Sequence, residues 1–189
     1  MEYRDKKYET ADDEKHISYI WGNEGNGHYT HREDLYFSHL KDMLPEFKGG
    51  RVIEVGPGTG KYGVMLHNNF DIESYTIVDI EKNIKDSKAT FANNNLGGEF
   101  VNAQDFETLF GREFDIFISN VCLSETPDYY RDDLLNNILP NCKYVMIIDG
   151  DGYKLEYNDW LGNTVKKYFT NVEIKDSGYA KCLAIVGKK

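Results

Sequence analysis

The sequence has no long apolar run, and none approaches the roughly 20 residues that a helix needs to cross a bilayer. Its first fifteen residues, MEYRDKKYETADDEK, are charged throughout and contain no apolar stretch of the kind found in signal peptides. We therefore expect a cytoplasmic protein that does not insert into a membrane.

Basic residues are scarce relative to acidic ones. The chain has 22 Lys and Arg against 32 Asp and Glu, which gives a formal net charge of −10. Proteins that bind nucleic acid rely on Lys and Arg to displace the counterions of the phosphates. The charge therefore argues against a protein that acts on DNA or RNA, and we expect no nucleic-acid partner.

Cysteine is also rare, with only Cys122, Cys142 and Cys182 in 189 residues. The three form no close pair and do not have the spacing of metal ligands. Each lies in or near an apolar, strand-like run, which is typical of buried reduced thiols. The sequence thus predicts neither a disulfide nor a metal site.

Short β-branched runs alternate with helical patterns over most of the chain, which favours a parallel sheet with right-handed crossovers. The last two apolar runs, NVEIKDS and AKCLAIVG, are joined only by the short connection Gly178-Tyr179, which is too short for a crossover, and so predict an antiparallel hairpin. The expected strands are 51–55, 75–79, 98–103, 114–120 and 143–149, and the expected helices include 61–70, 129–139 and 159–169.

The N-terminal part has a different character from this alternating region. Three glycines between residues 16 and 31 lie among aromatic and histidine side chains, a composition that suits a mobile lid. Residues 33–47 then carry apolar side chains at helical spacing and end near Pro45. We therefore predict an N-terminal arm, lid and cap helix at 1–47, followed by one α/β domain at 48–189.

The most informative motif is the glycine turn EVGPGTG at 54–60, between the first strand and a helix. A phosphate-binding P-loop requires G-x-x-x-x-G-K-[ST], but Val55 and Tyr62 occupy the first and last positions of that pattern. A dinucleotide-binding turn requires G-x-G-x-x-G, but Lys61 stands where its third glycine belongs. Neither pattern fits.

The remaining pattern, E-x-G-x-G-x-G, resembles the first signature of the class I S-adenosylmethionine-dependent methyltransferases. Asp79, at the end of the second strand, is the next feature that this family displays. The resemblance covers residues from about 50 to 189. It implies a Rossmann-like seven-stranded, mostly parallel sheet with the strand order 3-2-1-4-5-7-6 and one antiparallel strand. It also implies S-adenosyl-L-methionine as the cofactor.

The same resemblance assigns roles to individual residues. Asp79 would hold the ribose hydroxyls, and Gln104 with Asp105 would lie at the adenine. Asn120, at the end of the fourth strand, would contact the methionine end and open onto the acceptor. Asp105 as a helix cap and Asn120 as a turn residue remain alternatives. The full set of predicted cofactor-binding residues is Glu54, Gly56, Pro57, Gly58, Gly60, Asp79, Ile80, Gln104, Asp105 and Asn120.

The residues after the fourth strand bear on the methyl acceptor. The pair Ser124-Glu125 resembles a short signature of sugar O-methyltransferases, and tetrapeptides such as Asn-Pro-Pro-Tyr, typical of enzymes that methylate amino groups, are absent. An oxygen acceptor needs a base, for which Glu125, His28 and His31 are candidates. For Glu125, an idle carboxylate at a helix N-terminus is the alternative. For the histidines, the alternative is a surface role.

A second pair of carboxylates, Asp149 and Asp151, follows the fifth strand beside glycines. Such a pair can bind a divalent metal, but acidic residues beside glycines are more typical of a turn. We predict no metal here.

These observations predict an S-adenosylmethionine-dependent enzyme that methylates an oxygen atom of a small molecule. A sugar, sugar nucleotide or polysaccharide precursor is the favoured acceptor. Three alternatives remain: an N-methyltransferase of a small metabolite, an NAD-dependent oxidoreductase, and a catalytically silent methyltransferase-like partner protein. The sequence leaves the oligomeric state open.

Overall fold

The computed structural model describes residues 29–150, 155–178 and 182–189, and it describes side chains within 33–150, 156–178 and 182–189. Seven strands in these ranges form one sheet. They are β1 (Gly49–Val55), β2 (Asp71–Asp79), β3 (Glu99–Asn102), β4 (Phe114–Asn120), β5 (Cys142–Asp149), β6 (Asn171–Asp176) and β7 (Leu183–Lys188).

The described residues also form five α-helices. They are α1 (Tyr29–Met43), α2 (Lys61–Asn69), α3 (Glu81–Asn93), α4 (Asp128–Ile138) and α5 (Leu155–Tyr168). Three short 3₁₀-helices accompany them, at Ala103–Leu109, Leu123–Glu125 and Leu139–Asn141. None of the described helices has the length and apolar character needed to cross a membrane.

The strand order is β3-β2-β1-β4-β5-β7-β6, which confirms the predicted order. β1 pairs in parallel with β2 and β4, and β4 pairs in parallel with β5. β7 pairs antiparallel with both β5 and β6, so the predicted terminal hairpin is confirmed and β7 is the single reversed strand. The carboxyl ends of β1, β2, β4 and β5 consequently meet at one edge of the sheet.

Two apolar layers cover the two faces of this sheet. One contains buried side chains of α4 and α5, such as Leu134 and Leu161, packed on Phe117 and Ile147 of the strands. The other contains side chains of α1, α2 and α3, packed on Val52, Ile118 and Met146, among others. Strands buried on both faces are the usual partners of crossover helices, which explains their continuous apolar runs.

Helix α1 packs on the second face through Tyr36, Leu40 and Met43, each at most 9% exposed. Burying each such side chain stabilises the fold by about 1.5–3 kcal/mol. From Glu33 onward the helix belongs to the compact unit Glu33–Lys189. The predicted division of the chain at residue 47, and the lid before it, stay predictions.

The main differences from the predicted elements lie at their ends. β2 begins at Asp71, four residues before the predicted start, because Asp71 and Ile72 pair with Gly49 and Gly50. The exposed residues Asp71, Glu73 and Ser74 interrupt the apolar pattern there. α5 begins at Leu155 rather than 159. The 3₁₀-helix Ala103–Leu109 was not predicted.

Candidate active site

The glycine turn bends sharply at the carboxyl end of β1. Gly56, Gly58 and Gly60 have φ angles of 71°, 59° and 74°, a left-handed conformation that is cheap only for glycine. The N–H of Gly56 still donates to the carbonyl of Val78, and the N–H of Gly60 donates to the carbonyl of Pro57. The spacing of the glycines therefore reflects the backbone conformation that the turn requires.

A side chain at each of these glycines would meet different surroundings. A Cβ at Gly56 would lie 2.2 Å from Sγ of Cys122, and one at Gly60 would lie 3.1 Å from Oγ of Ser87. At Gly58 a Cβ would find no described heavy atom within 4 Å. Gly56 and Gly60 thus allow close packing, whereas Gly58 presents bare backbone at the open side of the turn.

Asp79 ends β2 beside this turn and is only 8% exposed. Its Oδ2 accepts the N–H of Gly58 at 3.0 Å, and its Oδ1 accepts the N–H of Ile80 at 2.7 Å and the side-chain amide of Asn83 at 3.0 Å. Burial raises its pKa to about 6, although these three hydrogen bonds act in the opposite direction. The carboxyl group is therefore mostly ionised at neutral pH.

Glu54 precedes the turn and is almost fully buried, at 1% exposure. Its Oε2 accepts the phenolic hydroxyl of Tyr75 at 2.7 Å. Its pKa is raised to about 8, chiefly by desolvation, with the hydrogen bond from Tyr75 lowering it and the charges of Asp79 and Glu33 raising it. A neutral, protonated Glu54 is consequently the main form at pH 7.

Asn120 ends β4 directly beside the glycine turn, because Val55 and Ser119 are register partners in the neighbouring strands. It is only 8% exposed, and neither Oδ1 nor Nδ2 has a hydrogen-bond partner among the described residues. Burying an unpaired amide is costly, so such groups occur chiefly where they serve a function. This amide offers one donor group and one acceptor to whatever lies beside the turn.

The predicted adenine residues lie further along the same edge. Gln104 and Asp105 are exposed residues of the first turn of the 3₁₀-helix Ala103–Leu109. The side chain of Asn102 caps this helix by accepting the N–H of Gln104 at 3.0 Å. Ile80 packs partly buried against the apolar layer on the α4 and α5 face. Since Asn102 is the cap, the structure does not need Asp105 for that purpose.

The loop after β4 carries the candidate base. Glu125 is exposed at the end of the 3₁₀-helix Leu123–Glu125, on the same edge as the turn. His28 lies outside the described residues, and His31 belongs to α1 but its side chain is not described. Burial raises the pKa of the Cys122 thiol well above 9, and the carboxylates Asp79 and Asp149 add to that effect. Cys122 is therefore a neutral packing group rather than a nucleophile.

Sequence reasoning missed several residues that shape the site. Asn83 donates to Asp79 from the first turn of α3, and Ser87 donates from the same helix to the carbonyl of Gly58 at 2.9 Å. Both follow Asp79 at intervals of four residues, so the i+4 spacing on a helix was the available signal. Nothing local to the sequence pointed to Tyr75, whose role depends on the pairing of β1 with β2.

The geometry agrees with a comparison against known protein families. The sequence profile of the methyltransferase small domain family matches residues 32–174, well over half of the chain. The chain belongs to this family. The predicted recognition of a class I S-adenosylmethionine-dependent methyltransferase, and of its cofactor, is thereby confirmed. No curated protein matches the sequence.

Several solved structures share the fold of this chain. An O-methyltransferase family protein from Burkholderia thailandensis has 16% identity and a TM-score of 0.62, over 86% of this chain and 60% of that one. The PH0226 protein from Pyrococcus horikoshii OT3 has 15% identity and a TM-score of 0.67, over 87% and 93% respectively. At such identities the likeness shows the fold alone.

A third similar structure is the 16S rRNA N2 G1207 methyltransferase (RsmC) of T. thermophilus, solved with AdoMet and guanosine. It has 13% identity and a TM-score of 0.65, over 89% of this chain and 45% of that one. The chain thus spans less than two thirds of this enzyme and of the Burkholderia protein.

Proposed function

We propose that this methyltransferase transfers a methyl group to an oxygen atom of a small molecule, with a sugar, sugar nucleotide or polysaccharide precursor as the acceptor. When bound, S-adenosylmethionine supplies a methyl group on a sulfonium sulfur. The observation that carries the cofactor assignment is the unpaired buried amide of Asn120, at the end of β4 beside the strand that leads into the glycine turn.

The proposed cofactor contacts follow from the chemistry of each residue. Asn120 offers a donor and an acceptor, which suits the carboxylate and ammonium of the methionine end. Glu54, in β1 just before the glycine turn, helps to shape the pocket for the methionine end. Asp79 is mostly ionised at neutral pH and already fixed by three donors, and a carboxylate has acceptor capacity left for ribose hydroxyls. Gly58 lets the chain of the cofactor pass close to the backbone.

The adenine would lie beyond Asp79, between Ile80 and the first turn of the 3₁₀-helix Ala103–Leu109. Ile80 provides an apolar surface for a ring, while Gln104 and Asp105 expose polar groups for its edge. An Asp105→Ala variant with weakened binding of S-adenosylhomocysteine supports this placement. Unchanged binding contradicts it, and Glu107→Ala, an exposed carboxylate on the same 3₁₀-helix, is the matched control.

Methylation of a hydroxyl requires a base, because the oxygen must lose its proton as the new bond forms. Glu125 and the histidines His28 and His31 are our candidates. Glu125 is exposed on the loop that follows Asn120, so a substrate at this edge can reach it. Glu125→Gln keeps the shape of the side chain and removes the base. We expect it to lower kcat by a factor of about 10² to 10⁴ if Glu125 is the base.

Three features of the chain support a small, non-nucleic acceptor. The net charge of −10 repels a polyanion, and the residues Asn120-Val121-Cys122-Leu123 do not form the tetrapeptide of amino-methylating enzymes. The Ser124-Glu125 pair adds the resemblance to sugar O-methyltransferases.

The cofactor assignment is tested by calorimetry with S-adenosylhomocysteine and, separately, with NADH. Binding of S-adenosylhomocysteine alone supports the proposal, and binding of NADH alone overturns it in favour of the oxidoreductase. The acceptor is tested by transfer of a radiolabelled methyl group to sugars, sugar nucleotides, small amines and ribosomal RNA. Labelling of RNA or amines but not of sugars would refute the proposed acceptor.

A further inference from the structure

Asp149 ends β5 and is fully buried. Its Oδ2 accepts the backbone N–H groups of Cys122 and Ser124, both at 3.1 Å, and its Oδ1 accepts the N–H of Gly150 at 2.7 Å. A charged acceptor makes such bonds stronger than neutral ones. Asp149, one of the two carboxylates considered as a metal-binding pair in the sequence, therefore holds the loop that follows β4.

Arg131 of α4 holds the same loop through the carbonyl of Leu123, the residue between Cys122 and Ser124. Its Nη1 donates to the carbonyl of Leu123 at 3.4 Å, and its Nη2 donates to Asp128 at 2.8 Å. The guanidinium also lies over the rings of Trp160, 4.2 Å from the centroid, and Tyr157, at 4.9 Å. The loop is thus held by the Asp149 carboxylate at two of its N–H groups and by the Arg131 guanidinium at one of its carbonyls.

The loop needs this grip because its first residue is strained. Val121 has a φ of 53°, a left-handed conformation that is a clear outlier for a β-branched residue. Its N–H donates to the carbonyl of Ile148 at 2.6 Å. Strained backbone persists only where the surrounding structure fixes it, and it tends to occur at functional sites.

The held loop forms one wall of the cofactor site. Cys122 packs so closely on the glycine turn that a Cβ at Gly56 would overlap its side chain. Asn120, with its unpaired amide, is the residue immediately before the strained Val121. A shift of the loop would therefore move both the wall against the turn and the amide beside it.

We propose that Asp149 is a positioning residue for the cofactor site. It holds the loop Val121–Glu125 against the glycine turn, in the geometry that places Asn120 for binding. The role goes beyond the cofactor contacts proposed above and rests on them.

The test is an Asp149→Asn variant, which preserves the shape of the side chain but supplies only one acceptor oxygen to three N–H groups. We expect the dissociation constant of S-adenosylhomocysteine to rise about tenfold or more, since hydrogen bonds to a charged group are lost. Amide hydrogen exchange of Cys122 and Ser124, measured by NMR, should accelerate as the loop loosens.

A loss of stability alone must not explain the result. Val165→Ala in α5 removes a fully buried side chain of the apolar layer and serves as a control for lost stability. Both variants are measured at a temperature where each is fully folded. Weakened binding in Asp149→Asn but not in Val165→Ala supports the positioning role, whereas equal weakening in the two, or none in either, overturns it.

Two further arms keep the outcome unambiguous. If Asp149→Asn does not fold, Arg131→Lys keeps the charge but loses the planar fork and the ring stacking, and the same comparison applies to it. If the wild-type protein itself fails to bind S-adenosylhomocysteine, the proposed cofactor contacts fail. Hydrogen exchange at Cys122 and Ser124 then still tests whether Asp149 holds the loop. Exchange that is unchanged in Asp149→Asn would disprove that role.

Discussion

The side chain of Asp79 accepts the backbone N–H of Gly58 at 3.0 Å, so the last residue of β2 fixes the turn that follows β1. The same carboxylate is the group that we assign to the ribose hydroxyls. One side chain therefore both builds the glycine turn and contributes to binding. Any substitution of it has to be examined for both effects.

The first prediction concerns this double role. Asp79→Asn leaves one acceptor oxygen where the wild-type carboxylate has two, and it removes the negative charge. A hydrogen bond to a charged group contributes about 1.5–3 kcal/mol, so binding of S-adenosylhomocysteine should weaken roughly 10- to 100-fold in calorimetry. Asp86→Asn, an exposed residue of the same helix as Asn83, is the control. Wild-type affinity in Asp79→Asn would contradict the ribose assignment.

The second prediction separates two glycines of the turn. Gly56→Ala forces a Cβ into the side chain of Cys122 at a φ of 71°, so it should destabilise the protein by several kcal/mol in urea unfolding. Gly58→Ala meets no described atom within 4 Å and should cost only about 1 kcal/mol of conformational strain.

Although Gly58→Ala should change stability little, it should weaken cofactor binding in the folded protein. Its methyl group would point to the open side of the turn, where we place the cofactor, and so weaken binding of S-adenosylhomocysteine. Unimpaired binding in that variant would show that the cofactor does not pass over Gly58.

The third prediction exploits the unpaired amide of Asn120. Asn120→Leu replaces a buried unsatisfied polar group by an apolar one of similar size, which should raise the free energy of unfolding by about 1–3 kcal/mol. The same change should abolish measurable binding of S-adenosylhomocysteine. Asn137→Leu is the comparison, because the side-chain amide of Asn137 already donates to Asp133. A destabilised Asn120→Leu protein would show that its amide is satisfied in solution.

The fourth prediction concerns pH and Glu54, whose folded-state pKa of about 8 lies above the usual value of 4.5. The folded state holds a proton that the unfolded chain releases near pH 4.5, so the stabilisation is complete below pH 4.5 and is lost as the pH rises through 8. Glu54→Gln should remove this loss. Between pH 5 and pH 9, the melting temperature should fall less steeply with rising pH in the variant than in wild type.

A matched control guards the interpretation of that experiment. Glu107→Gln changes an exposed carboxylate and should leave the pH profile of stability as in wild type. Parallel profiles for wild type and Glu54→Gln would mean that Glu54 is ionised in the folded protein at neutral pH.

The sequence by itself determined the alternation of strands and helices, the antiparallel terminal hairpin and the position of the glycine turn. Glycine spacing at 56–60 reflects positive φ angles, and strand periodicity with short connections leaves few topologies for a chain of this length. The strand order and the roles of Asp79 and Asn120 came from the resemblance to the methyltransferase family. The structure places both residues at carboxyl ends of strands that meet at one edge of the sheet.

Only the tertiary structure decided which partners these residues have. Glu54 meets Tyr75 through the pairing of β1 with β2, and Asp149 meets Cys122 and Ser124 because β5 lies beside β4. The participants are separated by 21 to 27 positions along the chain. Burial and the register between distant strands set these contacts. The contacts in turn raise the pKa of Glu54 and hold the loop after β4. No local pattern of residues encodes these two effects.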